Sequence, residues 1–363
     1  MNRRAFLHSA AATTAASLLV TPGLAQAAGD PPGTTPPPRH WNNPASVIYP
    51  DPAFESFDPR FDKYNAGTTE IRRLWSGAEW TEGPVYFGDM HCVIFSDIPN
   101  NRLLRYDELT GQTTEFRNPS NMANGNTRDW QGRLISCEQL SRRLTRTEYT
   151  GDITVLADNY QGKKLNSPNG VVAKKDGTIW FTDPSYGILG DHEGHRATAE
   201  LPGQAYMFDP KSGQLTVVAT DFSQPNGLCF SPDEKKFYIS DTGALGGPNP
   251  THTWIRVFDV SDDNKLTNDK VFHDFSPLGT YIADDMRVDM DGNLWCAGGW
   301  AKDPRYNGVT VLAPDGTDIG RIILPEVAAN LCFGGMDHEH SRLYITASTS
   351  LYAVYTGARG VEL

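Results

Sequence analysis

One pattern recurs along this chain and leaves few folds open to it. Residues 166–184 run Asn-Ser-Pro-Asn-Gly, then an apolar stretch, an Asp176-Gly177 turn, and a second apolar stretch ending at Asp183-Pro184. Apolar, β-forming residues on either side of Asp-Gly spell a tight β-hairpin. The same arrangement restarts at Asn124-Gly125, Asn226-Gly227 and Asp284-Asp285, returning through residues 134–138, 237–241 and 294–297. Two more copies begin at Glu82-Gly83 and Asn330-Leu331. The leading polar residues, Glu82, Asn124, Asn169, Asn226, Asp284 and Asn330, are spaced by 42, 45, 57, 58 and 46 residues. A repeat of that length with several strands per unit predicts a β-propeller. The expectation is an all-β, six-bladed propeller with a central channel, one closed domain over residues 67–363. One equivalent residue per blade, at the start of the strand nearest the axis, brings six side chains together. All six are carboxylates or carboxamides.

The remaining segments are read around that ring. Residues 1–27 resemble a twin-arginine signal: Arg3-Arg4 precedes a small apolar run through Val20, and Ala25-Gln26-Ala27 fits a cleavage site. The run is too short and too rich in Ala and Thr for a membrane span. The expectation is an exported bacterial protein of the periplasm, with no membrane association after cleavage. Residues 28–66 form a Pro/Gly-rich linker followed by an irregular wrap around the outside of the barrel. Residues 69–75 alternate and read as a strand; the last blade is short, so this strand is assigned to it and closes the ring. Blades three and four are about twelve residues longer than their neighbours. The extra length falls at 186–202 and 243–252, after the returning strand, so both loops should overhang the channel mouth with His192, His195 and His252. Loops on a rigid scaffold commonly carry binding residues, and the reading is a lid or substrate-binding wall.

The formal charge of −12 argues against nucleic acid and anionic membrane as partners. Five cysteines fall one to a blade inside strand patterns, without a C-x-x-C pair, and read as buried thiols used as small hydrophobes. Oxygen-only donors select a hard cation: calcium first, with magnesium, manganese or zinc as alternatives, although zinc ordinarily draws on His or Cys. Glu82, Asn169, Asn226 and Asp284 carry two negative charges between them, which nearly neutralises a divalent ion. A cation in an open channel polarises a carbonyl oxygen, and a carboxylate beside it can take the proton of an attacking water. That constellation opens esters or lactones. The chain contains no G-x-S-x-G elbow, P-loop or G-x-G-x-x-G. A second polar set, Asp97, Glu138, Asp183 and Asp241, ends the returning strands and either turns the chain or orients ligand.

The stretches Trp80-Thr81-Glu82-Gly83-Pro84-Val85, Leu165-Asn166-Ser167-Pro168-Asn169, Trp180-Phe181-Thr182-Asp183-Pro184 and Pro225-Asn226-Gly227-Leu228, together with Asp284, resemble the gluconolactonase/regucalcin (senescence marker protein) family. The resemblance spans roughly residues 70–355. It implies a six-bladed propeller that hydrolyses a small-molecule sugar lactone with one axial divalent cation. It makes Glu82, Asn226 and Asp284 the principal metal ligands, puts Asn169 near metal and substrate, and makes Asp284 the base. Asn124, Glu138, Asp183, His195, Glu200 and Asp285 are the candidate substrate contacts. Two departures stand out: many relatives have Asn-Asp where this chain has Asn169-Gly170, and Asp-Gly where it has Asp284-Asp285. A family arginine aligns with Ser167. The alternatives are aryl ester or phosphotriester hydrolysis on the same site, and a non-catalytic propeller binding sugar or protein.

Overall fold

The structure is a computed structural model that describes residues 41, 49–243, 252–337 and 340–361. The expected signal and linker, and most of the blade-four insertion, lie outside the described residues. Six antiparallel sheets follow one another along the chain, and a two-residue ribbon sits between the second and third. Blade one is built from Thr81–Phe87, Cys92–Asp97, Arg102–Asp107 and Thr113–Arg117, from the axis outward. Blades two, three, four and five start on Ala123–Arg128, Val171–Ala173, Pro225–Phe230 and Ile282–Val288. Blade six is mixed in sequence. Its inner strands, Ala328–Gly334, Arg342–Ala347 and Ser350–Tyr355, come from the end of the chain, and its outer strand, Arg72–Ser76, comes from before blade one. Arg73 pairs with Tyr352 and Ser76 with Ser350, so the ring is closed by the early strand assigned to it. The stretch read as an outer wrap supplies a strand too: Phe54–Ser56 pairs with Asp318–Ile323 as a fifth strand on blade five.

The hairpin that defines the repeat has the expected register. Val171 faces Phe181 and Ala173 faces Ile179. Gly177 turns the chain at φ +93°, with its N–H donating to the Lys174 carbonyl at 2.9 Å. What holds neighbouring blades together is aromatic packing. Trp180 of blade three is fully buried, with ring centroids 4.9 Å from Phe237 and 5.2 Å from Phe230 of blade four. Trp295 of blade five is equally buried against Phe333 of blade six, and against Phe61 and Tyr64 of the N-terminal segment. Burying one such ring contributes roughly 4–6 kcal/mol at about 25 cal/mol per Å². A net hydrogen bond contributes about 1 kcal/mol, so packing between sheets dominates over pairing at their edges. All five cysteines are buried thiols in these strands.

The start of five of the six inner strands departs from regular pairing where it matters for function. Register shifts interrupt the ladder between Glu82 and Val85, Ala123 and Asn126, Pro225 and Leu228, Ala283 and Met286, and Ala328 and Asn330. A bulge bends its strand and re-aims a side chain. Here it falls at the ring position of five blades.

Candidate active site

The ring side chains meet in a pocket of about 210 Å³ at one mouth of the channel. Glu82, Asn124, Asn169, Asn226 and Asp284 all line it. The sixth ring residue, Asn330, stands behind them: its Nδ2 donates to Glu82 Oε2 at 3.0 Å and to Asp285 Oδ2 at 2.8 Å. Asn226 Nδ2 donates to Asp284 Oδ1 at 2.6 Å, and the Gly83 N–H donates to Glu82 Oε2 at 2.9 Å. These bonds orient the acids and occupy one oxygen of each. Among the described residues, Glu82 Oε1, Asp284 Oδ2 and Asn226 Oδ1 accept no hydrogen bond, and the buried Asn124 Oδ1 has no partner.

The remaining walls come from sequence that carries no ring signal. Trp80 and Trp300 stack with centroids 5.4 Å apart and an interplanar angle of 25°. Trp80 lies two residues before Glu82, so strand alternation could have pointed to it. Trp300 follows the returning strand of blade five, and nothing in its sequence context marks it. Tyr186, His192 and Glu193 reach in from the blade-three insertion. Tyr186 bonds to Thr242, and Gly194 packs so closely on Gly187 that a Cβ there would lie 2.0 Å from the Gly187 carbonyl oxygen. Of the loop histidines, His192 lines the pocket. His195 is exposed, 3.5 Å from Asp191, and His252 stacks on Trp254 beside Asp241.

The carboxylates ending the returning strands lie away from the pocket and share a different geometry. Asp183 accepts the N–H groups of Asn166 and Ser167 at 2.7 and 2.8 Å. Asp241 accepts those of Ser223 and Gln224, and Asp97 that of Glu79. Each ties down the loop that leads into its own blade's inner strand, two to three residues before the ring residue. Glu138 is buried among Arg143, Ser141 and Thr145. Glu200 is on the surface, accepting from the Lys164 N–H at 3.2 Å. Asp285 points behind the pocket, where its Oδ1 accepts from the Met286 N–H and from Arg287 Nη1 at 2.7 and 2.9 Å.

Charge is the dominant property of the site. Glu82, Glu193 and Asp284 face a pocket with no Lys or Arg in its wall. Burial, then the nearby charge of Asp285, pushes the Glu82 carboxyl up to about 8. Burial and then Glu82 and Asp285 hold Asp284 well above the ordinary carboxylate range, and burial raises Glu193. Among the described residues no three His, Cys, Asp or Glu groups form a metal cluster by themselves. The donors are instead mixed carboxylate and amide oxygens. Acids that repel one another, beside amide oxygens without hydrogen bonds, are the donor chemistry that suits a hard divalent cation. A second pocket of similar size lies at the other end of the inner strands, lined in part by Arg128, Trp130 and Lys175, and no ring residue reaches it.

Six blades around one axis, with an acid- and amide-lined pocket where their inner strands begin, define the class as a six-bladed propeller with its polar site at one channel mouth. Within that class, the chain belongs to the SMP-30/Gluconolactonase/LRE-like family, whose profile matches residues 80–349. A gluconolactonase from Zymomonas mobilis is 29% identical over 326 residues, covering 84% of this chain and 86% of its own. A solved gluconolactonase structure from Xanthomonas campestris is 30% identical, covers 85% of this chain and 97% of its own, and superposes with a TM-score of 0.75. A pentonolactonase from Haloferax volcanii is 27% identical, covering 74% of this chain and 81% of its own.

Proposed function

We propose that the protein is a metal-dependent hydrolase that opens a sugar lactone of the aldonolactone type, such as gluconolactone. The observation that carries this reading is the single pocket where five ring residues meet beneath two stacked indoles. Lactone-hydrolysing relatives along most of the chain support the substrate class. Glu82, Asn169, Asn226 and Asp284 would hold the cation, calcium first on oxygen-donor grounds. When bound it supplies polarisation of the lactone carbonyl. Trp80 and Trp300 offer an apolar wall to the face of the sugar ring, and the open amide of Asn124 is placed to meet a hydroxyl. Asp284 Oδ2, left without a protein partner, takes the proton of the attacking water. Water adds to the carbonyl carbon, the bond to the ring oxygen breaks, and that oxygen leaves as a hydroxyl on taking up a proton. The product is the open-chain acid.

The test is a lactone panel followed by pH-stat above the spontaneous rate. Hydrolysis should be lost on EDTA treatment and return first with calcium. Enzymatic turnover unchanged by EDTA would remove the cation from the reading. Aryl esters and phosphotriesters belong on the same panel, because the indole pair would accept an aryl group as readily as a sugar face.

The proposed location is the periplasm, resting on the leader sequence at residues 1–27. Cell fractionation tests it. Arg3→Lys with Arg4→Lys should leave the protein in the cytoplasm, and normal export of that variant would exclude the twin-arginine route.

A further inference from the structure

Resting on that cation reading, we infer that Asp285, Asn330 and Arg287 form a clamp that positions Glu82 for the ion, and that Asp285 acts from behind the site as a positioning residue. The clamp is specific to one gap in the ring. In the first four blades a glycine follows the ring residue, and the backbone of the next blade packs directly against it. A Cβ on Gly83 would lie 2.2 Å from the Asn124 carbonyl oxygen; on Gly125, 2.2 Å from that of Asn169; on Gly227, 2.3 Å from Asp285 Cα. Blade five has Asp285 in the glycine's place. The space toward blade six therefore contains a carboxylate, and that carboxylate meets the ring residue of the next blade instead of its backbone.

Every bond in the chain of contacts has one available sense. Arg287 Nη1 donates to Asp285 Oδ1 at 2.9 Å. Asn330 Nδ2 has two hydrogens, and both are used, one on Asp285 Oδ2 and one on Glu82 Oε2. Asn330 Oδ1 accepts the Leu331 N–H at 2.8 Å, which excludes the flipped amide. All three partners of the amide are buried. With Oε2 taken by Asn330 and Gly83, Glu82 presents Oε1 to the pocket. A fixed rotamer is what an outer-shell contact contributes to a ligand, and its loss typically weakens metal binding about 10–100-fold.

The experiment is calorimetric titration of calcium into the EDTA-treated, desalted full-length protein and its variants, alongside melting curves. Asn330→Leu keeps the volume and removes both donated bonds. Asp285→Asn keeps the shape and removes the charge that engages Arg287. Both should bind calcium about 10–100-fold more weakly than wild type, with kcat recovering when calcium is raised to saturation and KM for the lactone little changed. A role confined to folding would lower the melting temperature and leave the calcium affinity of the folded protein alone. Affinity within about twofold of wild type in either folded variant overturns the inference. If wild type itself takes up no divalent cation, the underlying reading falls, and the clamp with it.

Discussion

Asp284 and Asp285 are neighbours in sequence with opposite surroundings. Asp284 lines the pocket and keeps Oδ2 without a protein partner; Asp285 has both oxygens engaged by Met286, Arg287 and Asn330. Asp284→Asn should therefore lower kcat by at least about 100-fold, the usual scale of a lost general base. Metal content measured on the same sample separates loss of the base from loss of the ion; near-normal kcat in a metal-loaded Asp284→Asn would place the base elsewhere. At this scale the ring was legible because its six members share one phase of the repeat. Glu193 and Trp300 were not, since their approach depends on how a loop folds back and no periodicity encodes that. Asp97, Asp183 and Asp241 look alike in sequence whether they touch ligand or backbone. Only the register of strand against loop reveals that they bind N–H groups.

The inner strands carry the geometry of the site through two devices, the bulge and the close contact. Strand alternation alone would have aimed alternate residues at opposite faces. The register shifts at the ring positions of five blades are what bring their acids and amides to the axis, while in blade three Asn169 stands just before a strand of regular register. Asp-Gly reads as a turn signal, and the hairpins are legible through it, whereas Asn-Gly only marks where an inner strand begins. The glycines after the ring residues have another reason to be there, because each makes room for the adjacent blade. Gly227→Ala tests this. Its Cβ would lie 2.3 Å from Asp285 Cα and 2.6 Å from the Asp284 carbonyl oxygen, both backbone atoms that cannot swing aside. The variant should lose about 1–3 kcal/mol, the common cost of overpacking, and lose activity disproportionately as blades four and five part at Asp284. Denaturant melts beside kinetics decide it; wild-type stability would mean the ring can expand there at no cost.

At the scale of the whole molecule, blade number and closure followed from repeat spacing and one alternating stretch. The fifth strand on blade five could not be foreseen, since Phe54–Ser56 is too short to show a period. The N-terminal segment thus fastens the outer edges of two adjacent blades, first blade five and then blade six. Removing residues up to 57 should lower the melting temperature and leave a cooperative fold. Removing residues up to 76 takes away the outer strand of blade six together with Phe61 and Tyr64, and cooperative unfolding should vanish from the calorimetric trace. A cooperative melt in the longer truncation would show that the other strands close the ring unaided. The closure also has a consequence for how the chain is made. The Thr81 hydroxyl donates to the Ser350 carbonyl, 269 positions further on, and strand 72–76 waits as long for its partner. During translation it leaves the ribosome as a bare β-edge, the kind of surface that recruits strangers, and it stays so until the final blade emerges. Such a chain completes its ring only once the strands of blade six have been made, so the edge at 72–76 stays unpaired while nearly the whole propeller is synthesised.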